Sequence, residues 1–410
     1  MDINRRNLLK GGAAGVVGTA VTAGLLSAGA RADAAAGEAT NPTAPDLVPF
    51  HGIHQAGILT PTTQQRYATH AAFDLTVGSR ADLVSLFRTL TDRAWFLTAG
   101  GTPPDLGVGS PPSDSDILGP EVPADGLSVT LSVGSSMFDD RYGLAAAKPK
   151  LLAPMRTFPN DALEPARCHG DLFLQLCANN PDTVHHALRD IAKHTRGGMQ
   201  LRYRMDGFVS PPRPSGTPRN LMGFKDGIAN PSGAEADRLI WVDSSAGEPA
   251  WAVGGSYHVV RLIRMLVEFW DRVSIHEQEN MFGRRRDSGA PLDGANEFDT
   301  PDFPQDPNGD VIPLDSHIRL ANPRTARSEP SRILRRGYNY DLGLDENGNI
   351  QCGLIFACFQ QDLRRQFEAV QTRLINEPLV DYIQPFGGGY FFALPGVRDA
   401  GDWYAKSLLT

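Results

Sequence analysis

The residues best suited to chemistry collect in two stretches. The first is Asp315–Tyr340, DSHIRLANPRTARSEPSRILRRGYNY. It holds one histidine, His317, in a segment of alternating apolar residues, then an Asn322-Pro323-Arg324 turn. After a short acidic, Pro-containing loop comes a strand-like segment with Arg335 and Arg336. An imidazole and a guanidinium this close in sequence can serve the two sides of one flat ligand. The second stretch is Gly223–Pro231, GFKDGIANP, where Asp226 lies between Lys225 and Gly227. Glycines let a backbone approach a flat ligand closely. A carboxylate in an apolar pocket has a raised pKa and can move protons near neutral pH. Arg335 beside it would stabilise a developing oxyanion, and losing such a donor typically costs about a hundred- to a thousandfold in rate. The plainer alternatives are a β-turn closed by an Asx-type bond at Asp226 and a structural role for His317. The company His317 keeps, a polar turn and two arginines, favours chemistry.

The other histidines read as structural. His185, His186 and His194 have the spacing of a solvated helix face, His276 lies on a Glu/Gln-rich helix, and His169 starts a strand. No His/carboxylate spacing indicates zinc or non-haem iron. The four cysteines (Cys168, Cys177, Cys352, Cys358) form no C-x-x-C pair and lie in apolar runs; buried free thiols are the favoured reading, and disulfides, which export would permit, the alternative. The run Arg284-Arg285-Arg286 reads as a solvated charge cluster, with an anionic partner as the alternative.

Residues 1–32 read as a targeting segment. Arg5 and Arg6 precede an apolar Gly/Ala-rich run, and Ala30-Arg31-Ala32 resembles a cleavage site, the pattern of a twin-arginine export signal. That route carries folded chains and suits a protein that takes up a cofactor before export. The expected destination is the periplasm or the extracellular space. The leader takes four of the 39 basic and one of the 47 acidic residues with it, leaving a net charge of −11. Such an acidic body argues against nucleic acid or anionic lipid as partner. No later stretch is apolar for the ~20 residues that would span a bilayer.

The elements that must position the two stretches follow from periodicity. Residues 33–48 are Ala/Pro/Thr-rich and read as a disordered linker. Alternation marks strands at Ala72–Val77, Leu127–Val133, Asp171–Cys177 and Gln200–Met205. Helices at Leu83–Leu90 and after Pro181 complete a β-α-β-β-α-β order, with residues 100–126 as a long loop. The order then repeats. Strands are expected at Tyr257–Ile263, Arg335–Leu342, Leu354–Gln360 and, after a Gly387-Gly388-Gly389 turn, Tyr390–Leu394. Helices are expected at Asp271–Phe282 and around Phe367, Val370 and Leu374. This predicts an α+β chain of two tandem ferredoxin-like halves with antiparallel sheets, residues 49–230 and 231–410. Each sheet has a second face to bury, against the partner half or a ligand.

GFKDGIANP carries the G-x-x-D-G signature of the dye-decolorizing (DyP-type) haem peroxidases. SHIRLANPR with ILRRGYNY, CHGDLFLQLCA, EQENMFGRRRDSGAPL and FGGGYFFALPG resemble that family's exported deferrochelatase/peroxidase subgroup, and the resemblance runs from about Phe50 to Trp403. It implies one haem b per chain, held in the C-terminal half, and oxidation of organic donors by hydrogen peroxide. Carried over by motif, His317 is the proximal iron ligand, and Asp226 and Arg335 are the distal pair. Gly227, Ile228 and Ala229 line the haem, Asn322, Pro323 and Arg324 contact its edge, and Arg324 suits a propionate. The acidic partner of His317 is not fixed by motif; Glu329 is the expected one. Bulky donors would pass electrons through a surface aromatic, with Trp270, Tyr338 and Tyr340 as candidates. The leader implies the twin-arginine translocase as a partner, and the resemblance implies an iron-uptake permease and a homodimer. The competing reading is removal of iron from haem or oxidation of ferrous iron. A non-catalytic haem carrier would need neither Asp226 nor Arg335.

Overall fold

The computed structural model describes residues 46–410, so the leader and most of the proposed linker lie outside the described residues. Residues 46–48 belong to the folded body rather than to a linker. The carbonyl of Asp46 accepts from Gly126 N–H, its carboxylate accepts from Asn179, and Val48 is buried.

The first half runs β1 (Tyr67–Leu75), α1 (Arg80–Ala99), β2 (Ser128–Gly134), β3 (Leu172–Ala178), α2 (Pro181–His194), β4 (Met199–Phe208). Ser79 caps α1 by accepting from Asp82 N–H, and the periodic Leu83, Leu86, Phe87 and Leu90 are all buried. The second half holds α3 (Gly233–Ile240), β5 (Ser256–Met265), α4 (Val267–Trp270), α5 (Ile275–Phe282) and α6 (His317–Ala321). It continues with β6 (Leu334–Arg335), β7 (Tyr338–Leu344), β8 (Ile350–Gln360), α7 (Ala369–Leu374), β9 (Ile383–Ala393) and α8 (Lys406–Leu409). No described helix is long and apolar enough to cross a membrane.

Each half forms an antiparallel sheet, ordered β4-β1-β3-β2 in the first and β9-β5-β8-β7 in the second. The edges then meet. β2 pairs with β9 from Ser132↔Ala393 to Gly134↔Phe391, and β4 pairs with β7 at Phe208↔Asn339. Two ferredoxin-like sheets thus close into one barrel. Its interior is filled from both halves, by Phe173, Tyr203 and Met205 from the first and Leu262, Tyr338, Ile355 and Phe391 from the second. The second sheet face is therefore buried against the partner half, as the pattern required.

Four local expectations change. The Gly387-Gly388-Gly389 run is not a turn but the buried middle of β9. A Cβ on Gly388 would collide with the Val260 carbonyl, so the glycines serve close strand approach. α5 starts at Ile275, not Asp271, because Ser274 and Glu277 form a reciprocal capping box there. The segment expected to alternate around His317 is a five-residue helix, α6. His186, expected on a solvated face, is buried and hydrogen-bonds through Nε2 to Asp114 Oδ2 at 2.7 Å, tying the long 100–126 loop to α2. All four cysteines are free and buried.

Candidate active site

A cavity lies between the outer face of the second sheet and the helical segments over it. Arg261, Ile263 and Met265 of β5 and Leu354 and Phe356 of β8 form its floor; Phe367, Val370 and Leu374, in and just before α7, form part of its roof. The walls are mostly apolar. Both stretches singled out in the sequence reach this cavity.

His317 is the first residue of α6. Gly283 ends α5 in the left-handed region (φ 80°), and a Cβ there would meet Ile318 Cγ1 at 2.7 Å, so α6 packs directly on that turn. Nδ1 of His317 lies 2.6 Å from Oε2 of Glu377, a buried carboxylate in the turn after α7. Burial alone would lower the imidazole pKa; the charge and hydrogen bond of Glu377 outweigh it, and the pKa is raised. With Nδ1–H donated to Glu377, Nε2 is the nitrogen left for the cavity, and it has no hydrogen bond to any described residue.

The opposite group is an ion pair. Arg335 Nη1 donates to Asp226 Oδ1 at 2.9 Å, and Gly227 N–H donates to the same oxygen at 2.7 Å. Asp226 and Arg335, expected beside one another from the sequence, are thus in direct contact. Asn230, four residues on in the same motif, fixes the backbone of Arg335 from both sides. Its Oδ1 accepts from Arg335 N–H (3.0 Å), and its Nδ2 donates to Arg335 C=O (2.8 Å). This amide bridges residues 105 apart and escaped the sequence reading; its only signal was a polar side chain beside a proline in the motif. Both Asp226 and Arg335 are close enough to act on the charge of His317.

Gly227, Ile228, Ala229, Asn322 and Arg324 line the cavity; Pro323 does not. Arg324 has φ 55°, and its guanidinium makes no ion pair with any described residue. Arg284, expected to be solvated, is buried on the same cavity. Its Nη1 donates to the carbonyls of Gly289 (2.6 Å) and Glu297 (3.0 Å). Burial, then the nearby Arg324 and Arg335, push its pKa down to about 10. Glu329 is not the partner of His317; it pairs with Arg332 at 2.8 Å. Arg336 points away from Arg335, as strand alternation demands, and binds Gln65 and Pro61 instead. Trp270, Tyr338 and Tyr340 are all buried, so none is a surface point of electron entry.

The donor set fits haem. One imidazole nitrogen is free toward an apolar cavity, a carboxylate–guanidinium pair lines the same cavity, and an arginine without a counter-ion suits an acidic edge.

This fold and site define a class. Residues 55–209 match the N-terminal domain of the Dyp-type peroxidases, and residues 217–398 match the C-terminal domain. The chain belongs to that family and is a haem-dependent peroxidase, using hydrogen peroxide and a reducing substrate. It is 50% identical over 417 residues to the Deferrochelatase of Escherichia coli (strain K12), covering 99% of this chain and 97% of that one. It is 51% identical over 368 residues to the Deferrochelatase of Yersinia pestis, covering 88% and 84%. Among solved structures, the DyP-type peroxidase from Cellulomonas bogoriensis superposes with a TM-score of 0.79 at 35% identity, covering 88% of this chain and 98% of that one. Ferric DtpA from Streptomyces lividans gives 0.79 at 35%, covering 88% and 97%.

Proposed function

We propose that His317 is the proximal ligand of haem b, that Asp226 and Arg335 are the distal pair, and that Arg324 meets a propionate. When bound, haem would supply a redox-active iron with an open position and the electrons for O–O cleavage. The residues do the rest. Glu377 holds Nδ1–H of His317 and makes the imidazole a stronger donor through Nε2. Asp226 accepts the proton of the near peroxide oxygen and delivers it to the far one, which leaves as water. Arg335 orients the Asp226 carboxylate and stabilises negative charge on the departing oxygen. An organic donor then returns two electrons in separate steps. The observation that carries this reading is the commitment of His317 Nδ1 to Glu377 in a cavity that the Asp226–Arg335 pair also lines. The test is titration of apoprotein with haem. One equivalent should give the spectrum of a histidine-bound haem, and His317→Ala should lose it; retention of that spectrum in the variant overturns the assignment.

The second reading is iron release from haem, favoured by the Deferrochelatase name of relatives 50% identical to this chain. Anaerobic incubation with haem, followed by porphyrin fluorescence, decides it: metal-free porphyrin supports the reading, intact haem dismisses it. Residues 1–32 would direct export by the twin-arginine translocase to the periplasm or beyond, and a paired Arg5→Lys, Arg6→Lys change should retain the protein in the cytoplasm. A homodimer and a membrane iron permease are the further partners this reading expects.

A further inference from the structure

α6 is five residues long, too short to hold helical shape by itself. It nevertheless carries His317 at its first position and leads straight into Asn322-Pro323-Arg324. Its last carbonyls, on Leu320 and Ala321, lie at a helix end where no following turn can satisfy them. One side chain takes both. Arg373 Nε donates to Leu320 C=O at 2.8 Å, and Arg373 Nη2 donates to Ala321 C=O at 2.9 Å and to Ser331 Oγ at 3.2 Å. The guanidinium forms no ion pair with any described residue. Its positive charge faces the negative end of the helix, where a cation is favoured. Burial without a carboxylate lowers its pKa.

Arg373 and Glu377 stand four residues apart on one segment, the end of α7 and the turn after it. Glu377 grips the first residue of α6 through the imidazole, and Arg373 grips the last two through the backbone. The Glu377 contact is a single bond to a ring at the start of α6, and Arg319 ties the middle of the helix to Asp306 and to the Ile312 carbonyl. Arg373, one helical turn from the Glu377 contact, holds the C-terminal end and completes the fixing of its roll.

We propose that Arg373 is a positioning residue for the proximal ligand, fixing the roll of α6 so that His317 keeps Nδ1 on Glu377 and Nε2 toward the cavity. The same grip sets the start of the turn that carries Arg324. The inference rests on the proximal role proposed for His317.

The test compares holoprotein with Arg373→Met, which keeps the stem and removes the donors, and Arg373→Lys, which restores one cationic donor. Two readouts respond to ligand orientation and not to stability alone: the iron–imidazole stretching band of the reduced protein, and the rate at which haem passes to an excess of apomyoglobin. Hydrogen bonds to a charged donor are the stronger class, so Arg373→Met should lose haem about tenfold faster or more. Its stretching band should shift or split, and Arg373→Lys should recover part of both. A single unshifted band with wild-type haem loss in Arg373→Met overturns the proposal, whatever its melting temperature. If Arg373→Met does not fold, Arg373→Lys decides by the same two criteria, with an intermediate effect expected and none contradicting. His317→Ala separates the layers: if that variant keeps the stretching band, the proximal assignment itself fails, whereas failure at Arg373 leaves it standing.

Discussion

Nδ1 of His317 and Oε2 of Glu377 lie 2.6 Å apart although sixty residues separate them in the chain. The carboxylate is buried, and its charge reverses the effect that burial would have on the imidazole. The contact sets the tautomer and so determines which nitrogen is offered to the cavity. Glu377→Gln should therefore keep haem but react with peroxide about ten- to a hundredfold more slowly, the usual cost of losing an outer partner of a ligating histidine. Stopped-flow absorbance against peroxide concentration measures this; an unchanged second-order rate would deny Glu377 its role.

On the other side, Arg335→Leu should retain haem and slow the peroxide reaction by about a hundred- to a thousandfold, as for other preorganised charge-stabilising donors. Asp226→Asn should also be slow, because the amide cannot accept and return the proton. A wild-type rate in either variant would mean that the pair is structural.

Asn230→Ala removes two hydrogen bonds to the backbone of Arg335 without touching a side chain of the distal pair. Each is worth about 0.5–1.5 kcal/mol. The peroxide rate should fall by about tenfold or more while haem affinity changes little. Cyanide binding, which reads the same open position without turnover, should weaken in parallel; equal cyanide affinity in the two proteins would contradict the role.

Much of this was legible in the sequence, and the reasons for the rest are specific. Strand alternation and helix periodicity are local signals, so the repeated β-α-β-β-α-β order and the bases of both cavity motifs could be read directly. Closure of the barrel could not, because the β2–β9 and β4–β7 edge pairings are set by the meeting of two halves. Glu377 was missed for Glu329 because nearness in sequence misled: Glu329 spends its carboxylate on Arg332, while Glu377 arrives over His317 only through α7. Arg284 looked like one of three solvated arginines, yet the chain turns it inward beneath Gly289 and Glu297. The buried triple glycine of β9 carried a turn signature for a strand-packing purpose.

The barrel interior predicts acid sensitivity. His70 is fully buried there, and burial, only partly offset by Gln175 and Asp206, lowers its pKa from 6.5 to about 4. His258, also buried, shifts the same way, with burial again the main cause. Between those values the unfolded chain binds the proton and the folded one does not. Stability is therefore complete above about pH 6.5 and falls as the pH drops toward 4, by about 3 kcal/mol for His70. Denaturant midpoints at pH 7 and pH 5 should differ accordingly, and His70→Leu should flatten the slope. An equal slope in that variant would remove His70 as the cause.

The most direct test of the central claim is the absorbance spectrum of the purified protein before and after one equivalent of hydrogen peroxide, run beside His317→Ala. The account predicts an intense haem band in the wild type that shifts within the mixing time and returns when an organic donor is added. The His317→Ala spectrum should lack the histidine-bound signature and any productive shift. A wild-type haem band indifferent to peroxide, or a variant that shifts and recovers like the wild type, would contradict the roles given to His317, Asp226 and Arg335.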